Sequence, residues 1–237
     1  MANTLPIDEQ FFPPFDGFPR KGLEFLRRLK KNNNRPWFQK HKSEYEENVR
    51  FPMQCLISSL AERMADIAPE IEFNPKRSMF RIHRDVRFSK NKEPYKTNIA
   101  AVFSVRAKKQ EGETPGLYVG IEPGEVFLGG GVYMPAGEQL KSYRRAIAEH
   151  PDSFLEVIGN RTFKKNFGGI AGEKLQRCPL GFPADHPMIE HLKHKQFYVG
   201  KVLNEEACLK PRFLDTTVPV FALTMPLVRW LVKAEKR

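Results

Sequence analysis

Gly116-Leu117-Tyr118-Val119-Gly120-Ile121-Glu122-Pro123-Gly124-Glu125-Val126-Phe127-Leu128 is the stretch that decides the fold. Apolar residues at 117, 119 and 121 fall on every second position, the period of a half-buried strand. Glu122-Pro123-Gly124-Glu125 then puts Pro second and Gly third in a tight turn. Val126, Leu128 and the run to Tyr133 lead the chain back. The stretch predicts a β-hairpin.

The alternation extends outward. Ile99, Ala101, Phe103 and Val105 repeat it, and Phe80, Ile82, Val86 and Phe88 carry it from Met79 onward, with Arg84 the exception. Phe197 to Leu203 predicts a further strand. The sum is a central, mainly antiparallel sheet of about four to five strands. Leu23, Leu26 and Leu29 share one face of a helix opened by Pro19 and stopped by Asn32-Asn33-Asn34. From Pro36, a longer helical period runs through Trp37, His41, Tyr45, Val49, Met53 and Leu56 to Ile67, with Pro52 predicted to kink or split it. Helices return over 138–150 and 151–158, a short one over 187–193, and an apolar one over 218–231 despite Pro219 and Pro226. Residues 160–186 show little period and read as irregular. An α+β fold follows, one domain over 1–237, with helices flanking the sheet on both chain ends. Residues 1–18, rich in Phe and Pro, read as an N-terminal arm extended across its surface.

At 237 residues and 41% hydrophobic content the chain can bury a sizeable core. It opens without a basic segment followed by an apolar run, and no 18-residue run is wholly apolar, which predicts a cytoplasmic protein with no membrane partner. Cys55, Cys178 and Cys208 are odd in number and far apart, which argues against a disulfide framework. The net charge of +11 favours anionic partners, because a field of that sign concentrates them. The cations form two blocks. One runs from Arg20 to Lys42, with Glu24 its single acid up to Lys42; the other runs from Arg81 to Thr97.

The second block is the candidate site. Read as a strand, 79–88 sets Arg81, His83, Asp85 and Arg87 on one face and Phe80, Ile82, Val86 and Phe88 on the core face. A loop follows with Ser89, Lys90, Lys92, Tyr95 and Lys96, braced by Pro94. Guanidinium forks grip phosphate or carboxylate, ammonium groups add point charge, and hydroxyls add neutral donors. The candidate ligand-binding set is therefore Arg81, Arg84, Arg87, Ser89, Lys90, Lys92, Tyr95 and Lys96, with Asp85 and His83 as acid–base candidates. The competing reading is an Arg–Asp network, Asp85 bridging Arg84 or Arg87, that pins a loop to the sheet.

The run Phe80-Arg81-Ile82-His83-Arg84-Asp85-Val86-Arg87-Phe88-Ser89-Lys90-Asn91-Lys92-Glu93-Pro94-Tyr95-Lys96-Thr97 closely resembles the hallmark of domain of unknown function 2461, a family of bacteria and fungi. The resemblance covers nearly the whole chain. It takes in Phe15-Asp16-Gly17-Phe18-Pro19, Asn33-Asn34-Arg35-Pro36-Trp37-Phe38, the hairpin Gly116 to Gly124, Gly129-Gly130-Gly131-Val132-Tyr133-Met134-Pro135 and Gly181-Phe182-Pro183. The chain departs from the family at Asn91, where members often carry Asp. The resemblance implies no nameable activity, and the cofactor is unknown.

Other constellations carry less. Gly129-Gly130-Gly131 follows a strand, but Pro135 precedes the next helix, so a bulge or close strand crossing fits better than a phosphate loop. His186, His191 and His194 lie close in sequence without a Cys or carboxylate partner, so no metal is assigned. Trp37 and Phe38 beside Arg35 have the make-up of a base-stacking patch, but helical spacing favours core packing. Three readings stand. The first is a binding protein for a phosphate-bearing small molecule or nucleic-acid backbone. The second is an enzyme on a phosphate ester, with arginine clamps. The third is a non-catalytic interaction protein. Oligomeric state stays open.

Overall fold

The computed structural model describes residues 12–87, 89–105 and 113–236. Phe88 and the first eleven residues of the predicted arm lie outside them. The central hairpin is present: β2 (Gly116–Glu122) pairs antiparallel with β3 (Glu125–Val132) across the Pro123-Gly124 turn. β1 (Ile99–Ser104) flanks β2, and β4 (Phe197–Asn204) flanks β3, giving a four-stranded antiparallel sheet in the order β1-β2-β3-β4.

The stretch 79–88 is a correction. Its described residues form no strand, only bridges at Met79–Ala101 and His83–Tyr95. Hydrogen bonds from Phe80 N to Ala100 O, Arg84 N to Pro94 O and Lys96 N to Ile82 O hold it as an irregular ribbon beside β1. Among the described residues of its apolar set, Ile82 alone is buried; Phe80 is 42% exposed. The even positions therefore do not form a core face.

Register fixes two unlike sheet faces. Leu117, Val119 and Ile121 of β2, Val126 and Leu128 of β3, and Phe197 and Val199 of β4 are all fully buried on one face. Against that face lies the C-terminal helix, Phe213–Glu235. It runs unbroken through Pro219 and Pro226, longer than the predicted 218–231. By length and composition alone it could cross a membrane, but its apolar side builds the core. Phe221 sets its ring edge-on to Phe103 of β1, 6.0 Å between centres. Gly130 lets the helix approach: a Cβ there would come within 3.0 Å of Thr224.

The N-terminal helices close one half of the core. α1 (Arg20–Lys31) ends at Asn32, as predicted from the Asn run. α2 (Arg35–Lys40) is capped by Asn34, whose side chain accepts from Trp37 N. α3 (Lys42–Tyr45), a π-helical turn (Glu46–Arg50) and α4 (Phe51–Met64) follow. Pro52 has no N–H for the fourth carbonyl before it, and the π turn is where the helix absorbs that loss. Trp37 packs on the core and stacks on His41, the packing role its spacing predicted. Phe15 and Phe18 are buried, so this part of the predicted surface arm is anchored in the core.

The other half is built by α5 (Gly137–Glu149) and α6 (Pro151–Gly159) on the last turns of the C-terminal helix. The region read as irregular contains a helix, α7 (Arg161–Phe167), capped by the Asn160 side chain and ended by Gly168 at φ 73°. α8 (Ile189–Leu192) is the short helix before β4, and Phe213–Glu235 is α9.

Candidate ligand-binding site

The second face of the sheet is open. Register brings Ala100, Gly120 and Phe127 into one row, Val102, Tyr118, Gly129 and Gly200 into the next, and Ser104, Gly116, Gly131 and Tyr198 into a third. Small residues leave room for a groove of about 700 Å³, within the range of small-molecule sites. Five aromatic rings cross it in sequence. Phe80 lies 6.4 Å from Tyr118, Tyr118 5.9 Å from Phe127, Phe127 6.4 Å from Tyr198, and Tyr198 5.5 Å from Tyr133.

The glycines set the inclination of those rings. A Cβ at Gly120 would meet the Tyr118 hydroxyl oxygen at 2.8 Å, and one at Gly200 would collide with the tip of the Phe127 ring. Both rings therefore lean across the sheet over glycines instead of standing clear of it. Burial raises the Tyr118 phenol pKa, helped by Glu122. It stays protonated at neutral pH as a hydrogen-bond donor.

Charge at the groove is divided. On the outer side of β1, Lys96 holds its Nζ 4.8 Å from the centre of the Phe80 ring. Burial lowers its pKa first, then the nearby Arg81 guanidinium. Neither cation has an ion-pair partner among the described residues. At the β2–β3 turn, Glu122 and Glu125 face each other in register, exposed and likewise without an ion pair among the described residues. Glu113 is different: it accepts from the backbone N–H groups of Tyr133 and Met134 and so fixes the far end of the groove.

Most of the remaining residues of the cationic segment are engaged within the segment or in the core. Arg87 grips Asp85 with two side-chain bonds, 3.0 and 2.7 Å, and its backbone N–H adds a third. Those bonds, more than the surrounding charge, pull the Asp85 pKa down to about 2. Arg84 pairs with Glu93 at 3.4 Å, and Lys92 donates to the Val86 carbonyl. Ser89 accepts from the Asn91 backbone N–H. Lys90 is exposed. Tyr95 is taken by the core: its ring stacks on Phe38 at 4.1 Å, and its backbone is clamped by Asn33. His83 is exposed and sets its ring near Phe38 and Tyr95. Of the proposed set, then, Lys96 lines the groove, with Arg81 near it.

Three arginines of the first cationic block are committed to carboxylates. Arg20 pairs with Glu206, Arg27 with Glu205, and Arg28 with Glu44. Sequence reading missed the groove because it followed the core-facing positions. The signal lay on the intervening ones, where aromatic residues alternate with glycine: Tyr118, Gly120; Phe127, Gly129, Gly131; Tyr198, Gly200.

Fold and site together define an α+β protein with one sheet face packed by helices and the other open as an aromatic groove. The chain belongs to the family described as conserved hypothetical protein, domain of unknown function 2461, whose model matches residues 21–230. No curated protein matches it.

Proposed function

We propose that the protein binds an anionic, phosphate-bearing ligand, with the phosphate at Arg81 and Lys96 on the edge of the groove. The observation that carries this reading is a pair of neighbouring cations beside an open cavity, neither in an ion pair among the described residues. Like charges held together raise each other's energy, and an anion relieves it; Asp85 lies near Arg81 but is gripped by Arg87. The net charge of +11 adds a long-range attraction of the same sign.

The acid–base reading of the segment has less support. Asp85 is ionised and held by Arg87 at neutral pH, so it has no proton to give, and two of the three proposed arginine clamps are engaged within the segment.

Ribose 5-phosphate, titrated by calorimetry, is the test. Lys96→Ala and Arg81→Ala should each weaken binding about tenfold, the scale of one charge-assisted bond. Arg87→Ala should change it by less than about twofold, because an exposed local pair contributes little. Affinity should fall as salt rises, steeply if several phosphates of a nucleic acid are engaged. Absence of single-stranded RNA binding at about 50 mM salt would remove the nucleic-acid version. Loss of binding in Arg87→Ala with none in Lys96→Ala would move the site to the loop around Arg87–Lys92.

A further inference from the structure

We infer that the groove takes a ribonucleoside monophosphate, its heteroaromatic base laid against Tyr118 and Phe127; this rests on the phosphate reading above. Three features converge on that class of ligand. First, the rings of Tyr118 and Phe127 stand 63° apart and lean over Gly120 and Gly200, so a planar body has an angled aromatic notch to enter. Aromatic faces attract bases by stacking in any orientation that covers the ring. Second, the phosphate corner is one ring away: Lys96 Nζ lies 4.8 Å from Phe80, and Phe80 lies 6.4 Å from Tyr118. That is the reach of one nucleotide, not of a long polymer. Third, Glu122 and Glu125 line the groove as unpaired carboxylates, which accept hydrogen bonds and repel phosphate. Sugar hydroxyls are donors of the right kind, and acidic side chains recognise ribose in this way elsewhere. One groove thus supplies a cation for the phosphate, rings for the base and acceptors for the ribose hydroxyls.

A polymer would need cations repeated along the ring track. Among the described groove residues, Lys96 is the one that lines it, with Arg81 beside it.

The test measures binding of AMP, GMP, UMP and CMP against ribose 5-phosphate and adenosine. At least one monophosphate should bind about tenfold or more tightly than ribose 5-phosphate, the increment expected of one stacked base. Tyr118→Ala should remove that increment and leave ribose 5-phosphate unchanged. Gly200→Ala keeps every ring but displaces Phe127; it should weaken the nucleotide alone, with the melting temperature as a check on the fold. If no monophosphate exceeds ribose 5-phosphate, the base platform is overturned while the phosphate reading stands. Adenosine binding as well as AMP overturns the phosphate reading and the nucleotide with it, as does no binding at all. Much tighter binding of a short single-stranded RNA than of any monomer overturns the commitment to a single nucleotide.

Discussion

Gly131→Ala should destabilise the protein by about 3 kcal/mol or more, through backbone strain and steric exclusion together. Gly131 holds φ at 125°, a conformation that side-chain-bearing residues rarely adopt. It also sits between Gly116 and Tyr198 in the ladder, and a Cβ there would collide with the Phe197 carbonyl oxygen. That atom is backbone in β4, so relief requires the two strands to part. Gly124 offers the contrast. Its φ is 97°, but nothing lies within 4 Å of a Cβ, so Gly124→Ala should cost only about 1 kcal/mol of strain. Urea denaturation of the two variants checks this. At this chain length the Gly131 variant should melt about 6–12 °C lower. Equal losses would mean that the β3–β4 approach is not the constraint.

A second large effect should appear in mild acid. His194 is 4% exposed, and its Nδ1 has no hydrogen-bond partner among the described residues. The His191 ring stacks 6.4 Å away, with its own Nδ1 equally unpartnered. Burial, then Lys174, then His191 push the His194 pKa down to about 4; Glu190 opposes them weakly. His191 is lowered in the same direction. The unfolded chain protonates His194 near the ordinary 6.5, so between those values it binds a proton that the folded state refuses. The stabilising contribution is therefore complete above pH 6.5, shrinks as pH falls, and is gone near pH 4. Its ceiling is about 3 kcal/mol.

Carboxylates with lowered pKa, such as Glu70 and Glu205, begin to lose their contribution only as pH falls into the ordinary carboxylate range, where the unfolded chain takes up their protons. The slope between pH 6.5 and 5 thus reports the histidines. His194→Leu should flatten that slope relative to wild type in urea midpoints. Parallel curves for the two proteins would show that His194 is protonated normally in the folded state.

What the sequence disclosed followed from periodicity and turn chemistry. Glu122-Pro123-Gly124-Glu125 specifies its turn locally, and Leu117, Val119 and Ile121 declare the buried face, so the hairpin was legible. The ribbon 79–88 was not. Its alternation is real in exposure, since Arg81, His83, Asp85 and Arg87 all face solvent, but Phe80 is drawn outward to the groove and ladder bonds form only in part. Helix α7 shows only Phe163 and Phe167 on its apolar side, too few to set a period, and its other signals were the Asn160 cap and the closing Gly168. Recognising the groove required knowing that both ring-bearing hairpin strands expose the same face, which register alone supplies. Partner choice within the cationic run was equally out of reach: composition makes Arg81 and Arg87 look alike, and only geometry commits Arg87 to Asp85.

The central claim is that phosphate is held at Arg81 and Lys96, at the edge of the open sheet face. An NMR titration with ribose 5-phosphate tests it most directly, following backbone amides and the Lys96 ammonium. The largest shifts should fall on residues 80–82 and 96–98, smaller ones on 118–120, and all should need about tenfold more ligand in Lys96→Ala. Shifts confined to Lys90–Lys92 or to the basic face of α1, with 96–98 unmoved, would contradict it.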